Sequence, residues 1–84
     1  MYSILFSSRA KKELLSLPNK IILAIEAKID GLTKEPRPSG CKKLQGSTNE
    51  YRIRIGDYRV IYTVADVVKI VSIIKIAHRK DVYR

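Results

Sequence analysis

These 84 residues, 9.6 kDa in mass, have material for one small core and not two. Lys and Arg number 17 against 8 Asp and Glu, a formal charge of +9, while 45% hydrophobic content excludes wholesale disorder. A single cysteine, Cys41, and a single histidine, His78, exclude an internal disulfide and a four-ligand zinc site, so no metal and no cofactor is expected. Met1–Phe6 lacks the basic start of a signal peptide, and the longest apolar runs stop at four or five residues, far short of a membrane span. The expected setting is the reduced cytoplasm.

Tyr2–Phe6 is a short β-favouring run and reads as the first strand. Ser7 or Ser8 can then cap a helix that starts near Arg9, with Ala10, Leu14 and Leu17 at helical spacing. Pro18 ends that helix and can open the next. Ile21, Ile22, Ile25, Ile29 and Leu32 then form an apolar stripe at steps of three and four, opposite Lys20, Glu26, Lys28 and Asp30. Gly31 stands where a helix C-terminus belongs.

Thr33–Gly40, with Pro36 and Pro38, is a turn-rich connection, and Lys42–Gly46 can begin a strand. Three stronger strands follow at Tyr51–Ile55, Tyr58–Ala65 and Val67–Ile76. The order β-α-α-β-β-β predicts one α+β domain over residues 1–84. In it a helical hairpin packs on one face of a mostly antiparallel twisted sheet.

Gly56-Asp57 is a two-residue loop of the kind that makes a type II′ turn. Such a turn sets Ile55 against Tyr58, Arg54 against Arg59, Ile53 against Val60 and Arg52 against Ile61. Because side chains alternate, Tyr51, Ile53, Ile55, Tyr58, Val60 and Tyr62 share a buried face. Arg52, Arg54 and Arg59 share the other. Like charges held together cost stability, and arginine cannot shed its proton to relieve them. The plain alternative is a solvated face on which the three splay apart. The functional reading is a phosphate grip, since the planar guanidinium fork matches phosphate oxygens. Lys42 and Lys43 lie close in sequence and extend the RNA-binding set to Lys42, Lys43, Arg52, Arg54, Arg59, Lys80 and Tyr83. If Asp66-Val67 is also a two-residue turn, His78 joins the arginine face; one extra residue reverses this.

Three stretches carry a resemblance over nearly the whole chain: Pro36–Gly46, Tyr51–Tyr62 and His78–Tyr83. In them the chain resembles RelE-type toxins of the RelE/ParE toxin–antitoxin superfamily. The resemblance implies a microbial-ribonuclease-like fold and an mRNA interferase that cuts in the ribosomal A site. It implies metal-free attack of the substrate's own 2′-OH, leaving a 2′,3′-cyclic phosphate and inhibiting translation. It gives Arg59 the charge on the scissile phosphate and Tyr83 a nucleotide to stack on or orient. His78 and Arg79 fall in the segment that supplies the proton donor. Arg52 and Arg54 stand where better-studied members carry lysines. An arginine cannot serve as a general base, so that role is expected of His78. The implied partners are mRNA, the ribosome, and a cognate antitoxin whose acidic, partly disordered segment wraps the toxin in a hetero-oligomer. Two alternatives stand beside this: a ParE-like gyrase poison without nuclease activity, and an inactive module that only binds its antitoxin.

Overall fold

In a computed structural model that describes residues 1–46 and 48–80, the chain runs β1 (Ser3–Phe6), α1 (Ser8–Leu15), α2 (Asn19–Gly31), β2 (Lys42–Lys43), β3 (Glu50–Ile55), β4 (Tyr58–Ala65) and β5 (Ile70–His78). The expected order holds, with the strand at Lys42 reduced to two residues. The five strands form one sheet in the order β1-β5-β4-β3-β2. β1 runs parallel to β5 and every other pairing is antiparallel.

Ser7 caps α1, its Oγ accepting the Ala10 N–H at 3.0 Å. The helix stops at Leu15 rather than Leu17. The Ser16 hydroxyl bonds back to the Glu13 carbonyl at 2.7 Å, and Pro18 disfavours a helical conformation at Leu17. Pro18 takes the N-cap position of α2. Both helices cover one face of the sheet. Ala10 and Leu14 of α1, with Ile25 and Ile29 of α2 and the following Leu32, pack on Ile53, Val60, Tyr62, Val71, Ile73 and Ile76.

β1 pairs with only the first half of β5, Ile70–Ile73. Beyond it the edge would be open, and α1 closes it. The Ser7 N–H donates to the Ile73 carbonyl at 2.9 Å and the Ser7 hydroxyl to that of Ile74 at 3.2 Å. Glu13 Oε1 then accepts the Ile76 N–H at 2.9 Å. An edge that could template pairing with another chain is thereby occupied.

At the other end of the sheet a polar latch joins four separate segments. Arg37 grips Asp66 through two bonds, at 3.1 and 2.8 Å, and donates from Nε to the Tyr51 hydroxyl at 2.9 Å. Tyr2 donates its hydroxyl to the same Asp66 at 2.6 Å. Tyr51 stacks on Tyr62, whose buried hydroxyl donates to the Pro36 carbonyl at 2.7 Å. Burial pushes the Tyr62 phenol well above its ordinary range. The latch pins the proline-rich connection, so that Pro36–Gly40 has a fixed seat against the sheet. Among the described residues, no helix is long and apolar enough to cross a membrane.

The Arg37 and Tyr2 hydrogen bonds hold the Asp66 carboxyl at about 2, below its ordinary value of 3.8. A depressed carboxylate adds stability that is complete above its ordinary value and is lost as pH falls through the folded one. Urea unfolding measured between pH 5 and pH 2 should therefore show a steeper acid decline for the native chain than for Asp66→Asn. Equal slopes would remove the latch from the account of stability.

Candidate nucleic-acid interface

The hairpin register follows the sequence expectation residue for residue: Arg54 opposes Arg59, Ile53 opposes Val60 and Arg52 opposes Ile61. Gly56 has φ +58°, while Asp57 stays in the ordinary region, the combination a type II′ turn requires. Ile53, Val60 and Tyr62 are buried beneath the helices, and Tyr51, Ile55 and Tyr58 pack against that core. Arg52, Arg54 and Arg59 share the face away from the helices. Lys42 pairs with Arg52 and so joins them from β2. Lys43 pairs with Tyr51 and projects to the other face, so the two neighbouring lysines are divided rather than adding together.

The third pairing corrects the placement of His78. β4 and β5 are joined by four residues, Asp66–Lys69, not by a two-residue turn, with Lys69 at φ 58°. Two extra loop residues alone would preserve the faces. The reversal comes instead from a bulge: Ile61 opposes Lys75 while Tyr62 opposes Ile73, leaving Ile74 as the extra residue on β5. Beyond it every side chain changes sides. Lys75 and Ala77 therefore align with Ile61 and Arg59, and His78 aligns with Tyr58 on the helix-side face. The His78 and Tyr58 rings meet edge-to-face at 5.4 Å. His78 Nδ1 accepts the Lys80 N–H at 3.3 Å, which leaves the proton of the neutral ring on Nε2. His78 is thus not beside the arginines. It lines a 330 Å³ cleft between α1 and the end of β5, together with Arg9, Glu13, Tyr58 and Lys75.

Arg79 returns to the hairpin tip. Its N–H donates to the Asp57 carbonyl at 2.7 Å and its Nε lies 3.8 Å from the Asp57 carboxylate. Lys80 is exposed next to it. Tyr83 lies outside the described residues.

Arg59 differs from its neighbours. Arg54 is exposed and Arg52 half-buried, but Arg59 is only 5% exposed, and it is the one charged residue buried among the described residues. Its Nε and Nη1 are buried without a hydrogen-bond partner among them. Taking a guanidinium out of water without a counter-charge costs several kcal/mol, and Arg54 directly opposite adds up to about 1 kcal/mol more. Arginine cannot lower this cost by losing a proton. Among the described residues the site is therefore a buried fork with unpartnered Nε and Nη1, with Arg54 directly opposite and Arg52 and Lys42 on the same sheet face, an arrangement whose chemistry suits an anion. Alternation alone could find the cluster but not this burial. Lys75, which lines the His78 cleft, is a further cation that the sequence reading missed.

If Arg59 is held for a ligand rather than for the fold, replacing it with an apolar side chain should not destabilise the domain. Arg59→Leu is expected to leave the thermal midpoint unchanged or raise it by several degrees, as relief of about 1 kcal/mol would in a domain of this size. A fall of similar size would make Arg59 a structural residue.

The family model described as the ParE toxin of the type II toxin–antitoxin system, parDE, matches residues 4–83. Toxin RelG of Mycobacterium tuberculosis is 31% identical over 84 residues, spanning 99% of this chain and 97% of the relative. The RelE–RelB complex from Pyrococcus horikoshii OT3 superposes with a TM-score of 0.84 at 34% identity, covering 95% of this chain and 97% of the other. The isolated RelE toxin of E. coli gives 0.84 at 29% identity, covering 99% and 92%.

Proposed function

This chain belongs to the RelE/ParE superfamily of type II toxin–antitoxin toxins, and from that premise we propose that it is an endoribonuclease that cuts mRNA in the ribosomal A site and so inhibits translation. The observation that carries this reading is Arg59: a buried guanidinium whose Nε and Nη1 have no partner among the described residues, on one sheet face with Arg52, Arg54 and Lys42.

In the proposed reaction the substrate's 2′-oxygen attacks the adjacent phosphorus. The 2′-O–P bond forms and the P–O5′ bond breaks, giving a 2′,3′-cyclic phosphate and a 5′-OH. The 2′-OH proton leaves to a base, and the departing 5′-oxygen gains one. Negative charge builds on the non-bridging oxygens as phosphorus becomes five-coordinate, and Arg59 meets it from a site already cleared of water, where a fixed charge acts most strongly. Arg52 and Arg54 hold the same phosphate from the exposed side, and Arg79 guards the hairpin tip. The role of general base, expected of His78, does not suit its position: the ring is on the opposite face and its Nδ1 is occupied by Lys80. We assign His78 instead to ordering the Lys80 backbone and the end of β5. Tyr83 keeps the proposed role of orienting a nucleotide, and Lys80 that of a phosphate contact.

The partner proposed is a cognate antitoxin with an acidic segment, forming a hetero-oligomer. The Pyrococcus horikoshii relative is bound to RelB, and a charge of +9 favours an acidic partner here. The family model's own description keeps one rival in place, a gyrase poison of the ParE kind.

Primer extension on a defined mRNA, with purified chain and programmed ribosomes, separates these readings. Cuts at the A site are expected, reduced 10²–10³-fold in Arg59→Leu and less than tenfold in His78→Gln. Intact RNA together with arrested supercoiling by gyrase would transfer the chain to the rival reading.

A further inference from the structure

A second concavity lies around the edge of the sheet from Arg59. β2 is only two residues long, so beyond Arg52 the strand β3 is itself the edge, and Arg54 stands on it. Between this edge, the C-terminal turn of α2 and the proline-rich connection is a groove of 520 Å³. Its walls include Ala27, Gly31, Pro38 and Gly40, small or rigid residues that leave backbone accessible. Lys28, Lys42 and Arg54 supply its charge.

Gly31 is informative. Its φ is not in the left-handed region, and a Cβ built on it meets nothing within 4 Å. Neither the backbone nor close packing therefore calls for glycine, although glycine weakens a helix by about 0.5–1 kcal/mol against alanine. What its missing side chain does is keep the groove open.

Resting on the ribonuclease reading, we propose that this groove is a subsite for single-stranded RNA, holding the nucleotides next to the one gripped by Arg59. Arg54 lines the groove and also opposes Arg59, so the two sites are continuous. β4 and β2 are two strand spacings apart, about 10 Å. A chain passing from Arg59 over Arg54 to Lys42 and Lys28 meets a cation at each step, which suits a polymer carrying one negative charge per unit. Lys28, on α2 and remote in sequence from the hairpin, becomes a phosphate contact of that subsite.

The test is fluorescence anisotropy on the full chain with 2′-fluoro oligonucleotides, which lack the attacking hydroxyl. The native chain is expected to bind an eight-nucleotide strand at least tenfold more tightly than a three-nucleotide one. Lys28→Gln should lose much of that gain, with a salt slope shallower by about 0.7, the share of one phosphate on a single strand. Gly31→Leu should also lose it, while Gly31→Ala folds at least as stably as the native chain and shows that the position tolerates a side chain. None of the three should change affinity for the short strand, whereas Arg59→Leu should weaken both. If the longer strand gains nothing, or the variants keep its gain while Arg59→Leu still weakens binding, the subsite is refuted and the Arg59 reading stands. If neither strand binds but an acidic peptide does, and Lys28→Gln weakens it, both readings fall and the groove is a peptide site.

Discussion

Everything distinctive about this molecule depends on the parity of one hairpin. A two-residue turn at Gly56-Asp57 fixes the pairing of β3 with β4, and side-chain alternation does the rest. One face receives Ile53, Val60 and Tyr62 and becomes the floor of the core. The other receives Arg52, Arg54 and Arg59. A shift by one residue would bury arginines under the helices and expose the aromatics. The hydrophobic demand of the core therefore enforces the grouping of the charges. The grouping of the cationic cluster is thus fixed by burial on the far side of the same strands.

The charge cluster has a thermodynamic cost, and the fold supplies what offsets it. Arg59 sits buried opposite a second arginine, its Nε and Nη1 unpartnered among the described residues. The latch of Arg37, Asp66, Tyr2 and Tyr51 and the closure of the β5 edge by Ser7 and Glu13 lie at the two ends of the sheet, and neither draws on Arg54 or Arg59. The latch and the edge closure are thus built from residues distinct from those proposed to grip phosphate. That separation leaves the scaffold independent of Arg59, whose Nε and Nη1 stay unpartnered among the described residues.

The same separation explains what could be read from the chain alone. The helices, the hairpin and its faces follow from local periodicity and one glycine, so Ile21 to Leu32 and Tyr51 to Tyr62 were legible. The position of His78 was not. It depends on an extra residue at Ile74, and a bulge within a run of β-branched residues, Val71 to Ile76, leaves no mark in hydrophobic pattern. The division of Lys42 from Lys43 turns on whether the short strand there pairs at all. The burial of Arg59, unlike that of Arg52 and Arg54, is a tertiary property with no sequence signature. Arg37 and Asp66, 29 residues apart, meet only because the proline-rich loop returns to the sheet.

A face built on arginines rather than lysines has a consequence for pH. A lysine in so cationic a setting can lower its charge by releasing a proton, and a site built on lysines softens its own repulsion. Arg52, Arg54 and Arg59 have no such outlet across the physiological range. The gripping charge is therefore constant, and so is its repulsive cost. Such a face favours tight, salt-sensitive binding over adjustable proton chemistry, so in the proposed reaction its chemistry fits stabilising a charged phosphorane better than abstracting the proton that begins its formation.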